Sequence, residues 1–159
     1  MINSFTREYS FLSNFYLSEI EYEGIIYPSS EHAYQAHKSN DIETRKYVAT
    51  LETPGLSKKA GRLLDKRDDW DEVKFRIMKD ILVIKFKDFE MSERLLETNF
   101  HNLVEGNWWH DNIWGDCSCE KCKNIPGQNH LGIILMDIRT EIFENKLNSQ
   151  EKMKRNERI

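Results

Sequence analysis

The chain carries little that would staple it, thread it through a membrane or draw it to nucleic acid. It has three cysteines, an odd number confined to Cys117, Cys119 and Cys122. That argues against a disulfide framework and for a reducing cytoplasm. No apolar run approaches the ~20 residues of a membrane helix. The opening stretch Met1-Ile2-Asn3-Ser4-Phe5-Thr6-Arg7-Glu8 has no apolar signal core. Basic residues are not in surplus: 23 Lys and Arg against 27 Asp and Glu leave a net charge of −4. A bulk electrostatic grip on nucleic acid or an anionic membrane is therefore disfavoured, although a local basic site remains open. There is no internal repeat, linker or low-complexity tract. With 159 residues, 39% hydrophobic and 31% charged, the chain reads as one globular domain with a real core.

Local patterns give the expected elements. Residues 1–28 read as short strands, with a hairpin turning at Glu23-Gly24 between β-rich flanks. A helix from Glu31 to about Ser39 follows, then one over Ile42–Leu51 closed by Thr53-Pro54-Gly55. A third covers Leu56–Lys66, with Leu56, Ala60, Leu63 and Leu64 as its buried side. Asp69 or Asp71 caps a long helix through Lys87, whose Val73, Ile77 and Ile81 recur on one stripe. A short helix fits Ser92–Thr98, and Leu103-Val104-Glu105 reads as a strand. Residues 106–130 lack a periodic pattern but hold Trp108, Trp109, Ile113 and Trp114, which are costly to leave in water. A loop of that length without disorder points to function. A last helix spans about Leu131–Leu147, with Leu135, Ile138 and Ile142 on one stripe, and residues 148–159 form a polar, frayed tail.

The stretch Tyr27-Pro28-Ser29-Ser30-Glu31-His32-Ala33-Tyr34-Gln35-Ala36-His37-Lys38 stands out. Pro28 stops a helix from extending backwards, and Ser29 or Ser30 caps its start. Glu31, Gln35 and Lys38 then fall at i, i+4 and i+7, so a carboxylate, an amide and an amine share one face. A plain surface helix would carry more charge, and a plain core helix would not pair Glu with Lys.

That stretch, together with Phe11-Leu12-Ser13-Asn14-Phe15, resembles the NADAR family. The resemblance continues through Gly61-Arg62, Trp70 and Lys74. It returns in Leu103-Val104-Glu105, Asp111, Trp114-Gly115-Asp116 and Gly127-Gln128-Asn129-His130-Leu131-Gly132, and runs on to Leu135-Met136 and Arg139. It covers roughly residues 5–145. The resemblance implies a compact, mainly helical α+β domain with a few short N-terminal and central strands, over residues 1–147. It also implies an N-glycosidase with no cofactor. Some members cleave early riboflavin-pathway phosphoribosylamino-pyrimidines to ribose 5-phosphate; others remove ADP-ribose from guanine.

Glu31 is the first catalytic candidate. Cleaving an N-glycoside builds positive charge at the anomeric carbon, which a fixed carboxylate stabilises. The bland reading is an acidic residue partnering a helix N-terminus. Lys38 is the second: with a depressed pKa it could attack the ribose and form an imine, the role the resemblance assigns it. The bland reading is a solvated lysine at a helix C-terminus. Gln35 orients substrate hydroxyls or is a satisfied amide. Asn14 and Phe15 match a nucleotide-pocket motif, although Asn14 also suits a turn. Trp114, Gly115 and Asp116 offer a stacking face, a close-approach backbone and a carboxylate. Asp111 is a second acid or a loop cap. Trp70 matches a family position or only staples its helix. Arg62, with Arg7 and Arg67, is a phosphate-clamp candidate. Asn129 precedes the last helix, whose N-terminus favours an anion.

Cys119 and Cys122 have the C-x-x-C spacing that chelates zinc, with Cys117 a third ligand and His110 or His130 a fourth. The second ligand pair of a usual structural site is missing, so three reduced cysteines in a loop is the favoured reading and no metal is expected. The expected partner is a small ribosyl-phosphate or ADP-ribosyl substrate, with nucleic acid only as a modified substrate and no membrane. Two rivals from another class stand beside the enzyme. One is a non-catalytic ADP-ribose or nucleotide-binding module; the other is a zinc-bearing interaction protein built on residues 110–130.

Overall fold

A computed structural model describes residues 1–157. The chain divides into two compact units, one running Phe5–Asp88 and the other joining Met1–Ser4 to the residues from Phe89 onward. The described residues form six α-helices, one 3-10 helix and four short strands, the mainly helical α+β class expected. No described helix is long and apolar enough to cross a membrane.

The first unit opens with the 3-10 helix Arg7–Leu12 and the antiparallel hairpin of β1 (Leu17–Tyr22) and β2 (Ile25–Ser29). Glu23 and Gly24 both have positive φ, 49° and 79°, the backbone of a two-residue turn matched to strand twist. Ile20 pairs with Tyr27 and Tyr22 with Ile25. Ile20, Tyr22, Tyr27 and Ser29 are buried. Arg45 Nη1 donates to Glu23 Oε2 at 2.7 Å, tying the turn to the next elements.

β2 runs directly into α1 (Ser30–Ala36), and Ser29 is the N-cap, its hydroxyl accepting from His32 N. All seven residues of α1 are buried. The helix packs against the hairpin and against α2 (Ile42–Ala49), α3 (Pro54–Gly61) and α4 (Trp70–Lys85). It ends at Ala36 rather than Ser39. The buried ring of His37 binds the Ala33 carbonyl through Nδ1 at 2.8 Å and faces Glu23 Oε2 through Nε2 at 3.2 Å. His32 is fully buried between the Leu51 carbonyl, 2.9 Å from Nε2, and the Ser29 hydroxyl, 2.7 Å from Nδ1. A carbonyl only accepts, so Nε2 carries the proton. Burial lowers the His32 pKa and keeps the ring neutral.

Asp41 caps α2 through Thr44 N at 2.7 Å, and Thr53 caps α3 through Leu56 N at 3.1 Å, with Pro54 in the first turn. The buried side of α3 corrects the expectation: Leu56 is 44% and Leu63 82% exposed, whereas Ser57 and Gly61 are buried. The reason is close approach. A Cβ on Gly61 would stand 1.9 Å from Gln35 Oε1 and 3.1 Å from Gln35 Cβ, so only a small face fits against α1. The helix also stops at Gly61 rather than Lys66. In α4, Trp70, Ile77, Met78, Ile81, Leu82 and Lys85 are buried.

The second unit holds α5 (Phe89–Glu97), which starts three residues before the expected Ser92 and buries Met91 and Leu95. Of the strand expected at Leu103-Val104-Glu105, only Leu103 pairs, in a parallel bridge to Ile2. The stretch after it contains a two-residue parallel pair, β3 (Gly106–Asn107) with β4 (Asp116–Cys117). Such a pair is too short to leave a periodic signature. The last helix, α6, runs His130–Asn156 and buries Leu131, Gly132, Ile134, Leu135 and Ile138. It does not fray after Leu147. Gln150, Glu151, Lys152 and Met153 are good helix formers, and Lys154 and Arg155 complement the C-terminal dipole. The end of the expected tail, residues 158–159, lies outside the described residues.

Gly61→Ala tests the α1–α3 approach. Overpacking there is expected to cost about 1–3 kcal/mol, read as a lowered urea midpoint with an unchanged m-value. An unchanged midpoint would mean that the contact is loose.

Candidate active site

The polar face of α1 is buried. Glu31 is 7% and Gln35 4% exposed. Gln35 Nε2 donates to Glu31 Oε1 at 2.7 Å, which fixes the carboxylate in direction. Glu31 N donates to the Asn14 carbonyl at 3.0 Å, so the Ser13-Asn14-Phe15 loop sits against the start of α1. The local turn bond is made by Ser13, whose hydroxyl accepts from Phe15 N at 3.1 Å. This frees the Asn14 side chain. Its Nδ2 makes one long 3.5 Å contact to Met78 Sδ, and its Oδ1 is buried without a hydrogen-bond partner. A buried amide oxygen without a partner is costly.

Lys85 was not anticipated. It is 2% exposed, and Nζ donates to the Ser13 carbonyl at 2.9 Å with the Tyr16 and Phe86 rings 5.6 Å and 5.5 Å away. The signal was there: Lys85 lies four residues beyond Ile81, on the buried stripe of α4. An open cleft of about 610 Å³, lined among others by Phe5, Ser10, Ser13, Phe15 and Tyr16, borders this loop. Glu31 and Lys38 do not line it.

Lys38 lies two residues past α1, held by its N–H to the Gln35 carbonyl at 3.2 Å and by Arg67 N donating to its carbonyl at 2.7 Å. Nζ sits 5.8 Å from the Tyr34 ring centroid and 6.0 Å from that of Trp70. Trp70 itself is 5% exposed and packs its ring 5.1 Å from Tyr34. It therefore forms part of the wall beside Lys38. Burial lowers the Lys38 pKa to about 8; repulsion from Lys66, Arg62 and Lys58 adds to the shift, and the Glu31 charge opposes it. Three cationic side chains thus act on Lys38, and Lys58 Nζ also stands 5.8 Å from the half-exposed Phe15 ring. Lys58 and Lys66 were missed because their convergence is a tertiary fact. Of the expected clamps, Arg62 belongs to this cluster, whereas Arg67 is engaged by Asp69 at 2.5 Å and 2.9 Å.

The remaining candidates lie in the second unit. Asp111 Oδ1 accepts from Ile113 N at 3.1 Å and Trp114 N at 2.9 Å, the loop-cap alternative. Asn107 grips the Asp111 backbone from both sides. Trp114 is half-buried, its ring 6.3 Å from that of His130. Gly115 is buried where a Cβ would strike the Glu105 carbonyl at 2.1 Å. Asp116 is exposed and takes Gly127 N at 2.8 Å. Asn129 has a left-handed backbone, accepts from Glu105 N at 3.0 Å and donates to the Leu103 carbonyl at 2.9 Å. Its amide is spent on holding the loop, and a Cβ on Gly132 would stand 2.0 Å from the same Leu103 carbonyl.

These features meet a known pattern. The NADAR domain model matches residues 3–143. The chain belongs to the NADAR family. It is 33% identical over 146 residues to the N-glycosidase YbiA of Escherichia coli, covering 90% of this chain and 88% of that one. It is 36% identical over 142 residues to the N-glycosidase Npun_R5314 of Nostoc punctiforme, covering 86% and 87%. The riboflavin biosynthesis protein VVA0006 of Vibrio vulnificus is 33% identical over 142 residues, 87% of this chain but 37% of that longer protein. The NMR structure of E. coli YbiA superimposes with a TM-score of 0.76 at 31% identity, covering 92% of this chain and 89% of that one.

The Lys38 environment predicts its reactivity. Amine-selective labelling across a pH series, resolved by peptide mass spectrometry, is expected to give Lys38 a midpoint near 8. A midpoint near the ordinary lysine value of about 10.4 would contradict the burial and charge crowding described.

Proposed function

We propose that the chain hydrolyses the N-glycosidic bond of a ribosylated, phosphate-bearing heterocycle, such as an early riboflavin-pathway phosphoribosylamino-pyrimidine, and releases ribose 5-phosphate. That it is a hydrolase acting on N-glycosyl compounds follows from its place in the family beside relatives named N-glycosidase. The phosphoribosyl substrate is supported by the relative named a riboflavin biosynthesis protein. The observation that carries the reading is a buried carboxylate held by an amide at 2.7 Å, coupled electrostatically to a lysine with a pKa of about 8.

Glu31 stabilises the positive charge that grows at C1 as the base departs, and burial strengthens that interaction. Gln35 keeps the carboxylate aimed and loses no reorganisation energy when charge develops. With its pKa lowered to about 8 by burial and neighbouring cations, Lys38 reaches the free-amine form far more readily near neutral pH than an exposed lysine. Its Nζ attacks C1, the C1–N bond to the base breaks, and the base leaves with a proton. The ring oxygen then leaves C1, taking a proton, and an imine forms. Water hydrolyses the imine, returning the free amine and the sugar phosphate. Lys58, Arg62 and Lys66 receive the phosphate, whose charge offsets their repulsion of Lys38. Asn14 Oδ1 accepts from a substrate hydroxyl or amino group, and Phe15 offers a face for the base. Within the second unit taken by itself, Asp111, Gly115 and Asn129 hold the loop that carries Trp114 and Asp116.

Glu31→Gln is expected to lower turnover by about 10²-fold or more with the fold intact by circular dichroism; wild-type turnover would remove Glu31 from the mechanism. Borohydride added during turnover is expected to trap a ribosyl adduct on Lys38. Turnover without an adduct would leave Lys38 as a phosphate-facing cation only.

A further inference from the structure

The second unit carries a cluster that the glycosidase chemistry does not use. His110, Cys119 and Cys122 bring Nδ1 and two Sγ atoms within 4.8 Å of one another. His110 Nδ1 lies 2.9 Å from Cys122 Sγ and 3.7 Å from Cys119 Sγ. The Cys119-x-x-Cys122 segment is a tight turn, with Cys122 N and Lys123 N both donating to the Cys119 carbonyl at 2.9 Å. Cys117 lies beside them. Its Sγ accepts from His110 N at 3.2 Å and Cys119 N at 3.4 Å, next to but outside the set of ligand atoms that lie within 4.8 Å of one another. All three thiols are free, and Cys117 and Cys122 are buried. His110 holds a left-handed backbone, φ 70°, a strained conformation for a non-glycine residue and one that turns its ring onto the thiols.

We propose that His110, Cys117, Cys119 and Cys122 form a structural Cys3His zinc site. A tetrahedral zinc with bonds of about 2.0–2.3 Å sets neighbouring ligand atoms roughly 3.5–3.8 Å apart. The 3.7 Å spacing already fits. The 2.9 Å contact opens by less than about 1 Å to admit the ion. His110 rather than His130 stands with Cys119 and Cys122 in the cluster, and Cys117 turns its Sγ in from beside it as the fourth ligand. Four protein ligands leave no position for water, so the site is structural rather than catalytic. Binding expels the thiol protons and clamps both ends of the segment from residue 110 to residue 122. The inference stands apart from the glycosidase reading, and its test reads metal and fold, not turnover.

The full chain, purified without chelators from zinc-supplemented culture, is expected to hold one zinc per chain by elemental analysis. Cobalt exchanged into the site is expected to give the intense visible bands of a tetrahedral thiolate centre. His110→Ala is expected to lose the metal at a chelator concentration that leaves the wild type loaded, while His110→Cys retains it. If Cys122→Ser misfolds, the His110 pair still decides. Wild-type protein without zinc even after reconstitution, with three thiols that react freely, would overturn the proposal. So would zinc bound equally well by His110→Ala.

Discussion

The hydrogen bond from Gln35 to Glu31 lies inside a helix buried on every side, and the first unit is arranged around that fact. A carboxylate taken from water is costly unless it is bonded and oriented. Here it sits in the first turn of α1, beside the amide of Gln35 at 2.7 Å, with its own N–H on the Asn14 carbonyl. Two buried histidines act as struts, His32 within the helix to Leu51, and His37 at its C-terminal end to Ala33 and toward Glu23. The small face of α3 follows from the same need, because Gln35 occupies the volume that a larger residue at Gly61 would fill.

Charge is distributed with equal economy. A net charge of −4 hides a local group of Lys38, Lys58, Arg62 and Lys66. Their repulsion, added to burial, brings one amine to about 8. Lys85 uses its charge differently, buried beneath the Asn14 loop and donating to the Ser13 carbonyl. The first arrangement suits an anionic ligand, and the second holds a loop still.

Much of this was legible in local sequence. The Glu23-Gly24 turn, the cap at Ser29 and the α4 stripe depend on a few neighbouring residues, and each formed where its chemistry pointed, whereas Asp69 at the start of α4 makes no capping bond. The Glu31–Gln35 pair was legible because helical spacing alone puts the two together. What failed was tertiary. Leu56 of α3 and Leu63 beyond its end face outward because α1 approaches α3 too closely for a large side chain. Lys85 follows the buried stripe of α4 against its polarity because a carbonyl far along the chain awaits it. Lys58 and Lys66 gained meaning only when their helix and the turn after it came near Lys38. In the 106–130 stretch, side-chain bonds from Asn107, Asp111 and Asn129 replace periodic structure, and such bonds leave no repeat to detect.

The most direct measurement is mass spectrometry of the products when the purified chain meets a phosphoribosylamino-pyrimidine of riboflavin synthesis, with ADP-ribosylated guanosine in a parallel reaction. Release of ribose 5-phosphate and free pyrimidine from the first, at a rate well above the second, is the predicted result. Release of ADP-ribose from the second alone, or tight ADP-ribose binding with neither substrate cleaved, would contradict it.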